Sequence, residues 1–514
     1  MSQLKQLAGQ TAIYGVSSIL GKTINFLLLP IYTSYLPKED VGAFTVIYAF
    51  IAFFNVVFTY GMETAFFRFS TGKGLDPQKV YGNTQSLLIT SSLSLGALLY
   101  LSAVPLAELL NYQGQAYLFK WVAMILTIDA LMAIPFAKLR VENKALLFSF
   151  SKLLAILLNV GFNIFFIVFC HHVYEGDILS FLQPLVQRFY RPDWGVDYIL
   201  LSNLLANLAI LPLLLYVSGK FTFGLDRNYL RPMWHYALPL LFMGLAGVTN
   251  EVFSRGLFEY ALPENFYEGL TKREAGGIFG ANFKLAILMN LVIQAFKYAA
   301  EPFFFKQADN KNNPALFSRV MHWFIIFCSF LLVAITVNLE TIGPLFLRGE
   351  GYEMGLQIVP ILLLGYLFLG IYYNLSIWFK LTDKTQYSFY ITLIGAVITV
   401  LVIFSLIPLL GFMGAALSTL LSYLTMSIVC YVVGQKHYPI PYQVGKGIFY
   451  LATAFVLGYL GFLLEFQNPL FGFFVRNLFV LAYGVIIILM EKKELSLILQ
   501  ALLGNMHYAN KSNQ

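Results

Sequence analysis

About fourteen stretches of roughly 20 predominantly apolar residues recur along the chain. They begin near Thr11, Val41, Thr84, Trp121, Leu146, Tyr198, Tyr236, Gly277, Trp323, Leu356, Ile391, Gly411, Gly447 and Phe471. Each can cross a hydrocarbon core of about 30 Å as a helix. A soluble core is excluded, because only 11% of the 514 residues are charged where a soluble domain carries about 25%. Strand-type alternation is absent, which excludes a β-barrel. The expected fold is an all-α polytopic membrane protein with about 14 transmembrane helices.

The connections alternate in basic content. One set carries Lys5, Arg68, Lys73, Lys79, Lys138, Arg140, Lys144, Lys220, Arg227, Arg231, Lys306, Lys311, Arg319, Lys380, Lys384, Lys436, Lys446, Lys492 and Lys493. The other holds Lys38, Lys120, Arg188, Arg191, Lys272, Arg273, Arg348 and little else. Cytoplasmic loops accumulate Lys and Arg, so both termini are expected inside. The same bias accounts for the net charge of +7 without a nucleic-acid partner. The opening "MSQLKQLAGQTAIYGVSS" lacks a compact basic, apolar and small-residue cleavage pattern and is expected to lead into a retained first span. The longest outer connection, His171 to Asp197, contains "ILSFLQPLVQRFYRPDW". It is either a short helix on the outer interface or a packed loop.

Two sequence echoes recur six spans apart. "KEDVGAF" from Lys38 is matched by "KREAGGIF" from Lys272, both Lys-x-acid-x-Gly ahead of a helix. "AKLRVENKALLFSF" after span four is matched by "FKLTDKTQYSFY" after span ten. A duplication into six-helix halves follows, residues 1–220 and 221–437, with two extra helices and a tail in 438–514. In duplicated transporters the substrate site lies between the halves near mid-membrane.

Charges inside the spans need a reason, since a lysine at mid-depth costs roughly 2.5–3.5 kcal/mol. Tyr14, Ser18, Lys22 and Asn25 form one stripe on the first helix. Glu63 lies on the second span and Asp129 near the centre of the fourth. The seventh carries Asn250, Glu251, Arg255 and Glu259, and the eighth Lys284, Asn290, Gln294, Lys297 and Glu301. Such stripes are expected to face a wet interior. Lys22 either pairs with a buried acid or binds an anionic substrate. Arg255 either pairs with Glu251 or Glu259 one turn away or does the same. Lys152, and Lys297 with Glu301, are near enough to an interface to snorkel. A buried carboxylate such as Asp129 or Glu63 can bind a proton or Na⁺.

Enzyme signatures are missing. The six histidines form no metal pattern, no phosphate-binding GxxxxGK[ST] loop occurs, and Cys170, Cys328 and Cys430 do not pair by spacing. Neither a metal nor an organic cofactor is expected.

With "LPIYTSYLPKEDVGAF", its echo, two six-helix halves and two additional helices, the chain resembles the polysaccharide (Wzx-type) flippase branch of the MOP (multidrug/oligosaccharidyl-lipid/polysaccharide) exporter superfamily. The resemblance implies two bundles in alternating access in a bacterial cytoplasmic membrane. They would carry undecaprenyl-diphosphate-linked oligosaccharide to the outer leaflet, alongside a polysaccharide polymerase and a chain-length regulator. Under it, Lys22, Arg255, Lys284 and Lys297 are expected at the head group, and Tyr14, Asn25 and Asn250 at sugar hydroxyls. Asp129, Glu63 and Glu251 are expected in H⁺ or Na⁺ coupling or in holding the cations. A lipid II flippase shares these features. A multidrug cation antiporter would want an acidic cavity and usually twelve helices. A membrane-embedded polymerase or ligase would want a larger outer loop than the roughly 26 residues available here.

Overall fold

The computed structural model describes residues 19–71, 75–306, 313–382, 384–494 and 496. Among them there is no strand, and 13 helices are long and apolar enough to cross a membrane. The chain is a multi-pass integral membrane protein. The first expected span begins outside the described residues. Its visible part runs helically over 19–26 and breaks at Leu27 and Leu28, where Pro30 has no N–H to return to the turn before it. It resumes as α1 (Leu29–Tyr35). The remaining main helices are α2 (Lys38–Thr59), α3 (Met62–Thr71), α4 (Pro77–Leu101), α5 (Ala116–Val141), α6 (Ala145–Asn163), α7 (Val196–Ser218), α8 (Arg227–Gly256), α9 (Lys272–Lys306), α10 (Asn313–Val337), α11 (Val359–Leu375), α12 (Gln386–Leu410), α13 (Phe412–His437), α14 (Val444–Phe462) and α15 (Pro469–Met490).

The sequence sets where several of these start. Asp76, Asp226 and Asn468 cap α4, α8 and α15 through their side-chain oxygens, and Pro77 and Pro469 occupy first-turn positions where no N–H is needed. Several hydroxyls within spans are satisfied locally. Thr45, Thr84, Ser86, Ser202 and Ser218 return their hydroxyls to the carbonyl four residues back. Lipid offers no alternative partner.

Two compact units result. The larger takes in the described residues of Met1–Ala308 with Phe346–Tyr438, and the smaller those of Asp309–Leu345 with Pro439–Gln514. This grouping follows packing, and the expected halves at 1–220 and 221–437 are a statement about ancestry, which packing does not address.

In the larger unit the long connection from His171 to Asp197 is helical over Gln183–Phe189. Its Val186 is buried while Phe181, Leu185 and Phe189 are exposed. Tyr190 stacks on Tyr198, and Tyr198 on Phe166 (centroids 5.2 Å apart in each pair), fastening the segment to α7. It is both a helix and a packed connection.

The smaller unit, α10, α14 and α15, is tied at both ends. Arg476 meets Glu340 and donates to the carbonyl of Leu464, and Asn338 and Asn477 exchange amide hydrogen bonds. At the other end buried Glu491 accepts from Tyr450 (2.8 Å), contacts His322 Nε2 (2.9 Å) and lies 3.5 Å from Lys446. Burial alone would raise the Glu491 carboxyl, but hydrogen bonds from Tyr450 and His322 and the charges of His322 and Lys446 hold it below the usual glutamate range. A carboxyl lowered in this way adds stability above its unfolded pKa, and that stability is lost as the pH falls through the folded value. Glu491→Gln is therefore expected to lower the melting temperature at neutral pH, with the difference from the parent closing on acidification. Thermal unfolding in detergent over a pH series checks this, and a difference constant with pH would refute it.

Candidate functional site

α2, α8 and α9 of the larger unit pack side by side and enclose a cavity of about 300 Å³. Phe44, Thr45, Tyr48 and Ala52 line it from α2, Val248, Glu251, Val252 and Arg255 from α8, and Gly280 and Lys284 from α9. Small residues let these backbones approach. A Cβ at Gly280 would overlap the Thr45 side chain.

Two cations share this cavity. The Lys284 ammonium lies over the Phe44 ring (4.2 Å to the centroid) and near Tyr32 (5.1 Å). The Arg255 guanidinium lies over Phe283 at 4.6 Å. Among the described residues neither forms an ion pair with a carboxylate within 4.0 Å. Arg255 Nη2 reaches only the backbone carbonyl of Glu251 (3.4 Å), and its buried Nε has no partner. The i,i+4 pairing that its position allowed is not made. Glu259 falls on the short Phe258–Ala261 helix beyond the end of α8 and faces Arg273 instead (3.8 Å). Ring faces stabilise a cation by roughly 0.5–2 kcal/mol but leave its hydrogen-bonding capacity unused. The cavity is thus disposed to take an anion.

The other expected site residues divide into groups. Lys22 is exposed on the first helix, where Nζ donates to Gln294 Oε1 at 2.6 Å, and Gln294 in turn donates to Asn290 (3.3 Å). Asn25 is exposed on the same helix. Tyr14 lies outside the described residues. Glu251 lines the cavity, and its charge acts on Lys22. Lys297 lies apart, 4.3 Å from the Tyr373 ring, in a small hollow of about 20 Å³ with Asn374 and Lys380.

Asn250 is not on the cavity wall. It is buried in a knot of α8, α12 and α13, donating to the Thr392 carbonyl (3.0 Å) and accepting from Thr399 and Ser422 (3.2 Å each). With its amide so engaged, it ties helices together. Glu63 forms an ion pair with Arg140. Asp129 is half-buried in a cluster of amides: Asn207 Nδ2 donates to Oδ1 at 2.7 Å, and Asn55 Nδ2 lies 3.5 Å from Oδ2. Lys152 is the cation whose charge acts on Asp129, and its ammonium lies over Phe136 at 4.2 Å. Sequence reasoning missed Tyr48, Asn55, Asn203 and Asn207. The one available signal was the i,i+4 amide pair in "NLLAN" within a span.

At the Lys38 and Lys272 ends of α2 and α9 the two Lys-x-acid-x-Gly echoes meet each other. A Cβ at Gly42 would overlap the Arg273 carbonyl oxygen, and one at Gly277 the Lys38 carbonyl oxygen. Arg273 spans this seam, 3.4 Å from Glu39, donating to the Asn111 carbonyl (3.0 Å) and lying over the Tyr112 ring (4.0 Å). Burial raises the Glu259 carboxyl beside it, with the Arg273 charge the main opposing influence. A wider cleft of about 800 Å³ beside the seam is lined by Glu39, Glu259, Glu264, Lys272 and Arg273 among others.

No family model and no curated protein matches the sequence. Solved structures do match in fold. A lipid II flippase MurJ in an inward closed conformation aligns with TM-score 0.69 at 14% identity, covering 94% of this chain and 100% of that one. An inward-facing multidrug resistance MATE family transporter of the MOP superfamily aligns with TM-score 0.61 at 15% identity, over 81% of this chain and 94% of that one. An outward-facing member aligns with TM-score 0.57 at 15% identity, over 85% and 98%. The chain therefore has the fold of the MOP transporters, and these structural neighbours are transporters and flippases, not enzymes.

Proposed function

We propose that this protein is a flippase that moves undecaprenyl-diphosphate-linked oligosaccharide from the cytoplasmic to the outer leaflet for cell-surface polysaccharide synthesis. The observation that carries the reading is the pair Lys284 and Arg255, two cations in one cavity with no carboxylate paired to either. A diphosphate supplies the acceptor oxygens that both lack, and charge-assisted bonds of this kind are the strong ones. The polyprenyl tail need not enter, since lipid solvates it. Lys22, with Gln294 and Asn25 nearby, meets the head group or an anionic sugar. Asp129 takes up the coupling H⁺ or Na⁺, and Glu251 on the cavity wall is a second carboxylate for that role. The membrane is the bacterial cytoplasmic membrane with both termini inside, and the duplicated halves alternate access. A cavity lined by two unpaired cations disfavours a multidrug cation antiporter.

A lipid II flippase is the second reading, because the likeness to the MurJ structure extends over 94% of the chain. Both substrates present the same diphosphate, so the cavity does not separate them. Flipping assays in proteoliposomes with a lipid-linked oligosaccharide and with lipid II do separate them: transport of the first alone supports our reading, and transport of lipid II alone overturns it. In cells, Lys22→Ala is expected to abolish polysaccharide export while the protein still inserts. Normal export by that variant would remove Lys22 from the site.

A further inference from the structure

Resting on the reading of the Lys284 cavity as an anion site, we propose that a proton on Asp129 reverses an amide chain ending in that cavity and so weakens anion binding there. The chain is continuous. Asn207 Nδ2 donates both its hydrogens, to Asp129 Oδ1 (2.7 Å) and to Asn203 Oδ1 (3.0 Å). Asn203 Nδ2 donates to the Tyr48 hydroxyl oxygen at 3.1 Å, and Tyr48 lines the cavity. Both Asp129 oxygens face N–H donors, the arrangement an ionised carboxylate requires. In this polarity the Tyr48 oxygen is already an acceptor, so its own O–H is free to donate to an anion beside Lys284.

A proton on Asp129 turns one oxygen into a donor that needs an acceptor. O–H···O bonds fall at about 2.5–3.0 Å. The Asn207 amide at 2.7 Å meets that distance without movement and the Asn55 amide at 3.5 Å does not. Asn207 must then turn its amide to present oxygen, which sets oxygen against oxygen at Asn203. Asn203 turns in response and offers its Oδ1 to Tyr48, and Tyr48 donates to it. The cavity loses a hydrogen-bond donor and gains a lone pair facing the anion. One proton is taken up, at Asp129, and every other hydrogen stays on its own residue.

The other charges near the two ends act with different signs. Around Asp129 stand Lys152 from α6 and, acting on Lys152, Arg140 from α5, itself engaged by Glu63 of α3. α4 meets this stretch of α5 through Ser92 and brings no charge there. At the cavity stand Glu251 and Arg255 from α8 and Lys284 from α9, and any proton gained there adds positive charge, which favours an anion. Only the Asp129 chain weakens binding as the pH falls.

The test uses the full-length chain in nanodiscs and a prenyl diphosphate esterified with one hexose, whose phosphates stay ionised throughout. Its affinity is followed over the range in which carboxyls titrate. The parent is expected to bind about tenfold more weakly on the acid side, within the usual range of coupling between two sites. Asp129→Asn, Asn203→Leu and Tyr48→Phe are expected to lose that acid limb, and Asn55→Leu to keep it. Binding by the parent with no acid limb overturns the relay and leaves the flippase reading standing. So does an acid limb retained in Tyr48→Phe or Asn203→Leu, or lost in Asn55→Leu. A parent chain that binds the diester at no pH overturns the flippase reading and takes the relay with it.

Discussion

Replacing Lys284 by methionine is expected to weaken binding of a diphosphate-bearing lipid by about tenfold to a hundredfold, as removal of a charge-assisted hydrogen bond of roughly 1.5–3 kcal/mol does. Methionine fills a similar volume and keeps the contact with Phe44, so the change isolates the charge. Lys284→Arg is expected to recover most of the affinity, since it restores the cation. Stability should move the other way. An unpaired, half-buried cation is a cost to the fold, and an apolar replacement of similar size is neutral or favourable. The variant is therefore expected to melt at or above the parent temperature. Arg255→Met should behave similarly, and the double variant should lose less than the sum of the two, because both cations address one ligand. Titration of the purified variants with the lipid, beside their melting curves, decides the matter. If Lys284→Met unfolds the protein and leaves the affinity of the surviving fraction unchanged, the ammonium is a structural element and the anion site is wrong.

The spans were legible because burial in lipid imposes one rule on every residue of a helix, and that rule survives in a single sequence. The cavity was partly legible for the same reason: Lys284 and Arg255 are expensive wherever they sit, so their presence alone marked them. Their partners were not legible. Glu251 and Glu259 both stand one turn from Arg255 in sequence, yet Glu259 lies past the end of α8 and faces Arg273 of α9, and Glu63 is engaged by Arg140 some 77 residues away. Asn250 looked like a wall residue because an amide in a span is costly unless satisfied. Its partners Thr392, Thr399 and Ser422 come from helices more than a hundred residues on. Lys152 was expected to snorkel, and its ammonium is instead held over Phe136 near Asp129. Pairing across helices is a property of the packed state, and spacing along one helix does not encode it.

Packing also gives the segments that carry the echo a physical role, through Gly42 and through Gly277, one residue past the Gly276 that completes the Lys-x-acid-x-Gly spacing, and with it the second large effect. Gly42 and Gly277 are not needed for a turn, since both lie inside helices with ordinary right-handed backbone. They are needed because each sits against the backbone of the opposite echo: Gly42 against the Arg273 carbonyl, Gly277 against the Lys38 carbonyl and the Gly42 backbone nitrogen. A backbone carbonyl cannot rotate away as a side-chain tip can. An added methyl must therefore push α2 and α9 apart along the seam, at a cost comparable to overpacking a core, about 1–3 kcal/mol per site. The seam joins the Lys38 and Lys272 ends of the helices, which the proposed orientation with both termini inside puts at the outer face, above the cavity of Lys284. Gly42→Ala combined with Gly277→Ala is thus expected to favour the state open at that face by about tenfold or more. The three native cysteines are buried, so a Thr45→Cys probe on the cavity wall can be read against a quiet background. Its labelling by a membrane-impermeant thiol reagent added outside should rise in the glycine variants and stay low in the parent. Equal labelling in both would mean that the seam opens without separating these backbones, and that the echo is a relic of sequence with no part in closing the cavity.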